Sequence, residues 1–489
     1  MESFVNGLIS IIWSPVLVFV LLFLGVYFSI RMCFPQIRFF KKMLKLSFTV
    51  RESQKGLTPY QTFALTVGGR VGIGNIAGVA TGIALGGPGA VFWMTLLAFL
   101  ASSSAFIEAA LAQIYKVEIE GQYRGGPAFY IEKGLKQKWF ASLFAVCVIL
   151  GLGVCVPGIQ TFNIVDSAKN AFGLDGLITG GAVCLLVAFS ICGSAKHLSR
   201  VSAVVTPFMA GAYILTSIII IMANFTRVPE ALGLIFSSAF GVHAVFGAII
   251  GSAVSWGVRR GLYSSDAGIG VGAIASGSSD AGHPAEQGLI QACSVLAGTL
   301  VISLMTALTL LTTNAYNVIN EKTGGFIVEY LPGIEYGPGY SQAAMNSLAP
   351  GLGGAFVAIA IFFFAFTSII AFYHYAESNL LYLLPKNNPR LIRTGTWVLR
   401  VIFLFSTFLG VSNSAKMLWN LADVGIGIMA WVNLAAIFLL QNQAVKVLKD
   451  YDRQLKDGRE PSFDPDAVGL PQASDVWRRK TASHDGPDK

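Results

Sequence analysis

The 489-residue sequence is poor in charge, since only 12% of its residues are Asp, Glu, Lys or Arg. That share is about half of what an ordinary soluble domain carries. Together with a hydrophobic fraction of 54%, it excludes a soluble globular protein. Metal-binding patterns are also scarce, because the five histidines and six cysteines form no C-x-x-C pair and no His/Glu cluster with ligand spacing. We therefore expect no cofactor and no resident metal, and we interpret the cysteines as small core residues.

Little in the sequence suggests catalysis. The glycine-rich segment GIGNIAG, which begins at Gly72, follows no predicted strand, and Ser264 lacks a paired base. The sequence thus argues against an enzyme.

Long apolar runs are what the sequence has in abundance. A membrane span needs roughly 20 apolar residues, and about eleven segments satisfy this requirement. The sequence therefore predicts an all-α, multi-pass integral membrane protein. The predicted spans are 11–31, 63–85, 88–115, 140–165, 176–193, 200–224, 243–275 (interrupted), 287–312, 352–384, 393–412 and 415–441.

Positive charges between the spans predict the orientation. Cytoplasmic loops carry an excess of Lys and Arg. The loop after the first span holds seven such residues, the next loop holds none, and the alternation continues with Arg259 and Arg260 counted among the inner charges. The N-terminus is predicted outside and the C-terminus cytoplasmic, in an inner membrane. The net charge of +8 then reflects topology and not nucleic-acid binding.

Two predicted spans contain too much glycine for uninterrupted helices. Glycine recurs along residues 68–89 and costs a helix interior roughly 1 kcal/mol relative to alanine. Irregular backbone at membrane depth is tolerated only where it is buried in protein or lines a cavity. Close helix packing through Gly74 and Gly78 is the alternative, although Asn75 favours a binding site. The seventh span, with Asp266, shows the same glycine enrichment, which predicts a second discontinuous helix.

The two interrupted spans lie five spans apart, which predicts two five-helix repeats. An odd number of helices makes the repeats inverted relative to each other. The predicted organisation is an accessory first helix with a basic loop (1–62), a first repeat (63–225), a second repeat (226–441) and a disordered, solvated cytoplasmic tail (442–489).

Several segments of the sequence resemble the alanine or glycine:cation symporter family, also called the sodium:alanine symporters. The resemblance runs from residue 68 to residue 433 and is that of a divergent member. It implies a fold similar to the bacterial leucine transporter and sodium-driven import of small neutral amino acids such as alanine or glycine. The segments are GNIAGVATGIALGGPGAVFWM, GGPAFYIEKGL, RGLYSSDAGIG, HPAEQGLIQ, FAFTSIIAFYHYAE and LWNLADVGIGIMA. Departures from the family pattern fall at Ile73, Thr95, Ser265, Asp266, Gly298, Ala371 and Phe372.

A zwitterionic substrate needs donors for its carboxylate and acceptors for its ammonium. Exposed N–H groups at residues 75–77 are expected to serve the carboxylate. Carbonyls near Gly247 and Gly251 are candidate acceptors, as is Gln160, which matches a binding glutamine of the family. The predicted substrate-binding residues are Gly72, Gly74, Asn75, Ile76, Gln160, Phe162 and Phe372, with the two phenylalanines as apolar walls.

The implied fold also suggests a sodium site between the first broken helix and the ninth span. The hydroxyls of Thr367 and Ser368 and the carbonyls of Arg70, Ile73 and Phe364 are the predicted ligands, because a hard cation prefers oxygen. The alternative is that both hydroxyls bond back to their own helix. Gly298 stands where the family has Asp, so a second cation site is expected to be weak or absent.

Other functions remain open at this stage. They are proton coupling through His374 or Glu108, transport of another neutral amino acid such as glutamine, and a passive channel. Glu108 and Asp423 are expected to make interhelical contacts, and His374 to be a packed helix residue. The expected partners are the amino acid, sodium and the lipid bilayer, and no nucleic acid.

Overall fold

The computed structural model describes residues 2–49, 53, 56–119, 121–192, 195–243, 245–246, 249–320, 323–385 and 387–484. Within these ranges the chain is mostly helical. Helices α1 (Glu2–Ile12) and α2 (Pro15–Arg31) are separated by Trp13 and Ser14, and the short helices α3 (Pro35–Arg38) and α4 (Phe40–Ser47) follow. The predicted first span lies within the apolar stretch Val5–Arg31, in which α2 begins at Pro15, whose fixed φ suits the first turn of a helix.

The region predicted as the first repeat contains eight helices. A π-helical turn, Gly151–Cys155, joins α9 to α10 in a single long span. The helices are α5 (Pro59–Arg70), α6 (Ala77–Gly86), α7 (Gly89–Ile114), α8 (Pro127–Leu135), α9 (Lys138–Leu150), α10 (Pro157–Phe172), α11 (Gly176–Ile191) and α12 (Ala195–Ala223).

The region that follows has a second π-helical segment, Leu296–Ser303, between α16 and α17. Two short antiparallel hairpins lie between helices: β1 (Val117–Ile119) with β2 (Gln122–Arg124), and β3 (Asn317–Ile319) with β4 (Phe326–Glu329). The helices are α13 (Val228–Ala239), α14 (Ile250–Ser265), α15 (Val271–Gly277), α16 (Pro284–Val295), α17 (Leu304–Thr312), α18 (Pro338–Asn346), α19 (Leu352–Leu383), α20 (Pro389–Leu409), α21 (Ala415–Lys456) and α22 (Asp475–His484).

Each of the eleven predicted spans overlaps one or more of these helices, although residues 244, 247 and 248 of the seventh lie outside the described residues. Among the described residues, seven helices are long and apolar enough to cross a membrane alone, or eight when the pair Pro207–Ala223 and Phe225–Ala239, bent by 81°, counts as one. The number falls below eleven because broken spans and short helices such as Ala77–Gly86 do not reach the length of a full span.

Both predicted interruptions are present. The first break, residues 71–76, separates α5 from α6 and contains a single 3₁₀ turn, Ile73–Asn75. The second break, residues 266–270, separates α14 from α15. It has three residues with left-handed backbone, Asp266 (φ 49°), Gly268 (φ 93°) and Gly270 (φ 87°). Left-handed backbone ends an α-helix, because it points the following residues away from the helix axis.

Helix α7 packs against α14, α15 and α16 at the centre of the molecule. Large apolar side chains on α2, α11 and α20 face outward instead, among them Phe19, Phe189 and Phe405. Such an apolar exterior suits contact with lipid.

Arg259 and Arg260 are not loop charges, so their assignment to a cytoplasmic loop is wrong. Both belong to α14, and Arg260 is fully buried, where its guanidinium pairs with the Asp423 carboxylate on α21. The Trp419 ring lies 4.5 Å from this guanidinium. Ion pairing and aromatic contact explain how the charge is accommodated inside the protein.

The prediction of a disordered tail from residue 442 is also wrong for residues 442–484. Helix α21 continues to Lys456, and residues 459–484, named the C-terminal segment here, fold back onto α7. Trp477 is 1% exposed, and its indole Nε1 donates to the Gln113 carbonyl at 2.8 Å. Burial of a few widely spaced apolar residues is enough to hold this polar segment in place: Phe463, Leu470, Val476 and Trp477.

The interpretation of the cysteines as core residues holds only in part. Cys147 and Cys293 are buried, whereas Cys33 and Cys192 are exposed. The latter two lie just beyond the ends of α2 and α11, where the chain leaves the packed interior.

Candidate functional site

The first break approaches α19 and α10 most closely at Gly72. A Cβ atom at this position would lie 2.6 Å from the Ser368 hydroxyl oxygen and 3.8 Å from Gln160 Oε1. Only glycine permits the first of these distances without a shift of the Ser368 hydroxyl. The structure therefore brings together three residues that the sequence assigned to the substrate and cation sites.

Gln160 lies on α10, is 1% exposed, and has an Oε1 atom without a hydrogen-bond partner among the described residues. Leaving a buried acceptor unsatisfied costs about 1–3 kcal/mol. An acceptor in this state at the first break is suited to receive a donor from a bound molecule.

Tyr263 is a site residue that the sequence did not reveal. A Cβ atom at Gly74 would lie 2.9 Å from Tyr263 Cδ1, so the ring of this α14 residue presses on the first break. The ring stacks edge-on against Trp419 at a centroid distance of 5.1 Å, and its hydroxyl lies near the Gln160 side chain. An aromatic residue three positions before Asp266 was the only signal in the sequence.

Asn75 joins the two broken helices. Its Nδ2 donates to the Arg70 carbonyl at 2.8 Å, and its Oδ1 accepts hydrogen bonds from Ser303 at 2.7 Å and from Ser264. Ser264 lies on α14, and its hydroxyl is 3.0 Å from that of Thr299. The Asn75 amide and the hydroxyls of Ser264, Thr299 and Ser303 thus form a neutral, oxygen-rich cluster.

The second half of the first broken helix starts without a side-chain cap. The N–H of Ile76 donates to the Ile73 carbonyl at 3.2 Å, and α6 begins at the next residue. The first N–H groups of any α-helix have no partner within the helix. Their partial positive charge is suited to a carboxylate.

The hydroxyls of Thr367 and Ser368 meet a set of carbonyl oxygens. Thr367 Oγ1 lies 3.2 Å from the Gly68 carbonyl, and Ser368 Oγ lies 3.1 Å and 3.2 Å from the carbonyls of Gly68 and Gly69. Both hydroxyls also lie within 3.0 Å of the Phe364 carbonyl. Five oxygens from α5 and α19 therefore converge, whereas bonding back along α19 alone would involve neither Gly68 nor Gly69.

The carbonyls of Arg70 and Ile73 have other partners in the structure. The Arg70 carbonyl accepts from Asn75 Nδ2 and from the Gly72 N–H at 2.9 Å, and the Ile73 carbonyl accepts from the Ile76 N–H. Of the three predicted carbonyl ligands, Phe364 is the one in contact with the two hydroxyls.

The predicted apolar walls lie in different surroundings. Phe162 is half-buried and lines a cavity of about 700 Å³ between α10 and α18, to which Asp166, Lys169 and Glu335 also contribute. Phe372 is buried in the core, one helical turn after Ser368. Of the two predicted carbonyl positions on the seventh span, Gly247 lies outside the described residues.

The other position, Gly251, is exposed in the first turn of α14. It is therefore remote from the second break, which starts at Asp266.

Glu108 and Asp423 make the interhelical contacts expected of them, whereas His374 makes no hydrogen bond among the described residues. Asp423 pairs with Arg260, and Glu108 of α7 accepts a hydrogen bond from Asn433 of α21 at 2.8 Å. His374 is 1% exposed, and neither ring nitrogen has a hydrogen-bond partner among the described residues.

The sequence was compared with protein families and with individual proteins. The model of the sodium:alanine symporter family matches residues 1–465. A putative sodium/proton-dependent alanine carrier protein, YrbD of Bacillus subtilis, is 46% identical over 480 residues, which cover 98% of each chain.

Two further relatives carry informative names. The sodium/proton-dependent alanine carrier protein of Bacillus sp. strain PS3 is 44% identical over 435 residues, which cover 88% of this chain and 96% of the relative. The probable sodium/glutamine symporter GlnT of Bacillus subtilis is 36% identical over 479 residues, which cover 98% and 96%.

Proposed function

This chain belongs to the sodium:alanine symporter family, and from that premise we propose that it couples sodium entry to the uptake of alanine or a similarly small neutral amino acid. The protein is a multi-pass secondary transporter. We assign the site to the place where Gly72 in the first break lies beside Ser368 of α19 and Gln160 of α10. In this proposal one pocket holds the amino acid and the adjoining oxygens hold the ion.

The sodium site consists of the hydroxyls of Thr367 and Ser368 with the carbonyls of Gly68, Gly69 and Phe364. Support comes from the distances between these oxygens. Each hydroxyl lies within 3.2 Å of the Gly68 carbonyl and within 3.0 Å of the Phe364 carbonyl, and the Ser368 hydroxyl lies 3.2 Å from the Gly69 carbonyl. The carbonyls of Arg70 and Ile73 belong to the adjacent break and join the site if α5 and α6 move apart. Oxygen ligands of this kind suit a hard monovalent cation.

The amino acid binds beside the sodium site. The uncapped N–H groups after Ile76 receive the carboxylate, and Gln160 Oε1 receives the ammonium. Gly72 and Gly74 let the substrate approach the backbone, Asn75 holds the break in shape, and Phe162 and Phe372 form apolar walls. The ring of Tyr263, pressed against Gly74, limits the size of the side chain that fits.

The proposed architecture has eleven spans in two inverted five-helix repeats, residues 63–225 and 226–441. Support comes from the two breaks, which lie in the second and the seventh predicted span. The N-terminus lies outside and the C-terminus in the cytoplasm of the bacterial inner membrane. Rocking of the two broken helices against α19 then exposes the pocket to one side at a time.

Two variations on this function have support from the relatives. The names of two of them include both sodium and proton, and a third is a probable sodium/glutamine symporter. Proton coupling and a larger neutral substrate are therefore the second candidates. A passive channel is disfavoured because the family is one of symporters.

The test uses purified protein in lipid vesicles with labelled alanine. An inward sodium gradient is expected to drive accumulation, and an inward proton gradient without sodium is not. Unlabelled glycine and glutamine, added separately, compete for the pocket and define the substrate class. Uptake that proceeds equally without any ion gradient would contradict symport.

A further inference from the structure

The second break lies beside a buried group of charged side chains, named the Glu108 cluster here. It consists of Arg70 at the end of α5, Glu108 on α7 and Asp266 in the break itself. Their exposed fractions are 2%, 0% and 4%. The three side chains interact electrostatically with one another. The proposed sodium and substrate sites use none of these three side chains.

Only one oxygen of the Glu108 carboxyl group is hydrogen-bonded. Oε2 accepts from the Gly270 N–H at 3.1 Å and from Asn433 Nδ2 at 2.8 Å. Oε1 is buried and has no partner among the described residues. A buried charge costs far more free energy than a buried neutral group, and Oε1, which accepts no hydrogen bond from the described residues, is the oxygen free to take the proton.

Arg70 brings the single positive charge of the cluster. Its Nη1 donates to the Gln291 carbonyl at 3.0 Å and to the Ser294 hydroxyl, while Nε and Nη2 have no partner among the described residues. A Cβ atom at Gly272 would lie 2.5 Å from Nη2. The guanidinium therefore reaches the same turn of backbone as Glu108, and no described carboxylate forms a direct ion pair with it.

The charges of the cluster do not balance when both carboxylates are ionised. One guanidinium then faces two carboxylates, which leaves one negative charge inside the protein. Burial of an uncompensated charge costs several kcal/mol. Besides Arg70 and Asp266, the titratable group that faces Glu108 is Tyr130 of α8, whose neutral hydroxyl donates to Asn433 and supplies no positive charge.

We propose that Glu108 is a proton-binding site of the transport cycle. This inference rests on the proposed function, since it adds a second coupling ion to the same transporter. The carboxylate takes a proton from water on one side of the membrane and becomes a carboxyl group at Oε1. It returns the proton to water on the other side, so the charge of the cluster alternates between zero and minus one.

Proton binding at this position acts on the moving part of the protein. A carboxylate accepts hydrogen bonds about twice as strongly as a neutral carboxyl group. Loss of the proton therefore tightens the contacts of Glu108 with the Gly270 N–H and with Asn433. Gain of the proton loosens them, which frees α15 to turn about the second break.

The experiment uses vesicles that contain a pH-sensitive dye, an inward sodium gradient and labelled alanine. Wild-type protein is expected to acidify the interior as alanine enters, and its uptake is expected to fall as the external pH rises, because fewer Glu108 carboxylates then take up a proton from outside. The variant Glu108→Gln mimics the protonated group, so it cannot carry a proton even where its sodium-driven uptake is slower than that of wild type. It should lose both the acidification and the dependence on pH.

Two further variants distinguish loss of the proton site from misfolding of the protein. Glu377→Gln is the matched control, because Glu377 is a half-buried glutamate of α19 that bonds to Tyr373 outside the cluster. It should acidify like wild type. Asp266→Asn leaves one carboxylate against Arg70, so no proton is needed and acidification should again be lost.

The two proposals fail in different ways. Sodium-driven alanine uptake without acidification in wild-type protein would overturn the proton site alone, as would acidification by Glu108→Gln equal to that of wild type. Absence of sodium-driven uptake in wild-type protein would overturn the proposed function and the proton site with it.

Discussion

The two breaks arise from the same sequence signal and differ in their chemistry. The first is neutral: Asn75 and the surrounding hydroxyls hold it, and Gly72 has an ordinary negative φ of −122°. The second is charged and strained, with Asp266 in its left-handed start and Glu108 bonded to Gly270. Glycine enrichment in a span thus predicts that a helix is interrupted, but the side chains around it decide which ligand the interruption suits.

The strained break is expected to be the more sensitive to a single methyl group. Gly270→Ala forces alanine into left-handed backbone, with its Cβ in the space of Pro127 and Phe144. Backbone strain and overpacking together should lower the free energy of unfolding by about 3 kcal/mol. Thermal unfolding in detergent measures this. Gly298→Ala is the control, because the nearest atom to its Cβ lies 3.5 Å away; equal melting temperatures of the two variants would contradict the comparison.

A substitution in the neutral first break is expected to reduce transport much more than it reduces stability. In Gly72→Ala the new Cβ lies 2.6 Å from the Ser368 hydroxyl, which can shift only at the expense of the proposed sodium site. We expect sodium-driven alanine uptake to fall about 100-fold, since a misplacement of roughly 1 Å has effects of this size. The melting temperature should stay within a few degrees of wild type. Normal uptake would place the ion elsewhere.

The sodium site should show reciprocal coupling. Thr367→Val removes one of the five converging oxygens and is expected to weaken sodium affinity about tenfold. The factor by which sodium tightens alanine binding should fall, and the factor by which alanine tightens sodium binding must fall equally, while alanine binding without sodium changes little. Titration of both ligands by calorimetry measures this. Thr407→Val is the matched control, because its buried hydroxyl donates only along its own helix, to Phe403; an equal effect in both variants would refute the assignment.

The smallest effect is expected at the wall of the pocket. Ala371 stands where the family has glycine, and it packs against Gly69. A Cβ atom at Gly69 would lie 3.4 Å from the Ala371 methyl group. Ala371→Gly should enlarge the space beside the first break by one methyl group. A methyl group changes relative affinity by about 1 kcal/mol, or a few-fold. Competition by glycine, alanine and serine should therefore shift a few-fold toward serine, and an unchanged order would indicate a wall formed by other residues.

The sequence predicted a mostly helical, multi-pass chain and its two interruptions, because both depend on local composition. Apolar runs fix where helices cross, and glycine fixes where they break. Thr367 and Ser368 were predicted as ligands from local composition too, since two adjacent hydroxyls in an apolar helix are conspicuous, and this assignment stays a prediction. Which carbonyls they contact depends on how α5 is oriented about its own axis relative to α19, and local sequence does not determine this orientation. The contacts are therefore with Gly68 and Gly69, and not with Arg70 and Ile73 as predicted.

Contacts between distant parts of the chain escaped prediction. Arg260 and Asp423 are 163 residues apart, so a count of loop charges could not distinguish a buried ion pair from a cytoplasmic marker. The C-terminal segment was misjudged for a related reason. Its average composition is polar, but Trp477 and three other apolar residues find a hydrophobic surface that other elements supply.

The packing of the C-terminal segment gives the protein a natural chemical reporter. Lys116 is wholly buried, because the rings of Tyr123 and Trp477 cover its ammonium at 4.6 Å and 4.4 Å. An amine-reactive reagent modifies a lysine only when its nitrogen reaches solvent. The rate at which Lys116 is labelled therefore reports how often Trp477 moves away from it. The exposed Lys41 and Lys45 react throughout and supply an internal standard. Mass spectrometry of whole membranes can thus count how often this end of the molecule opens, with no mutation and no purified protein.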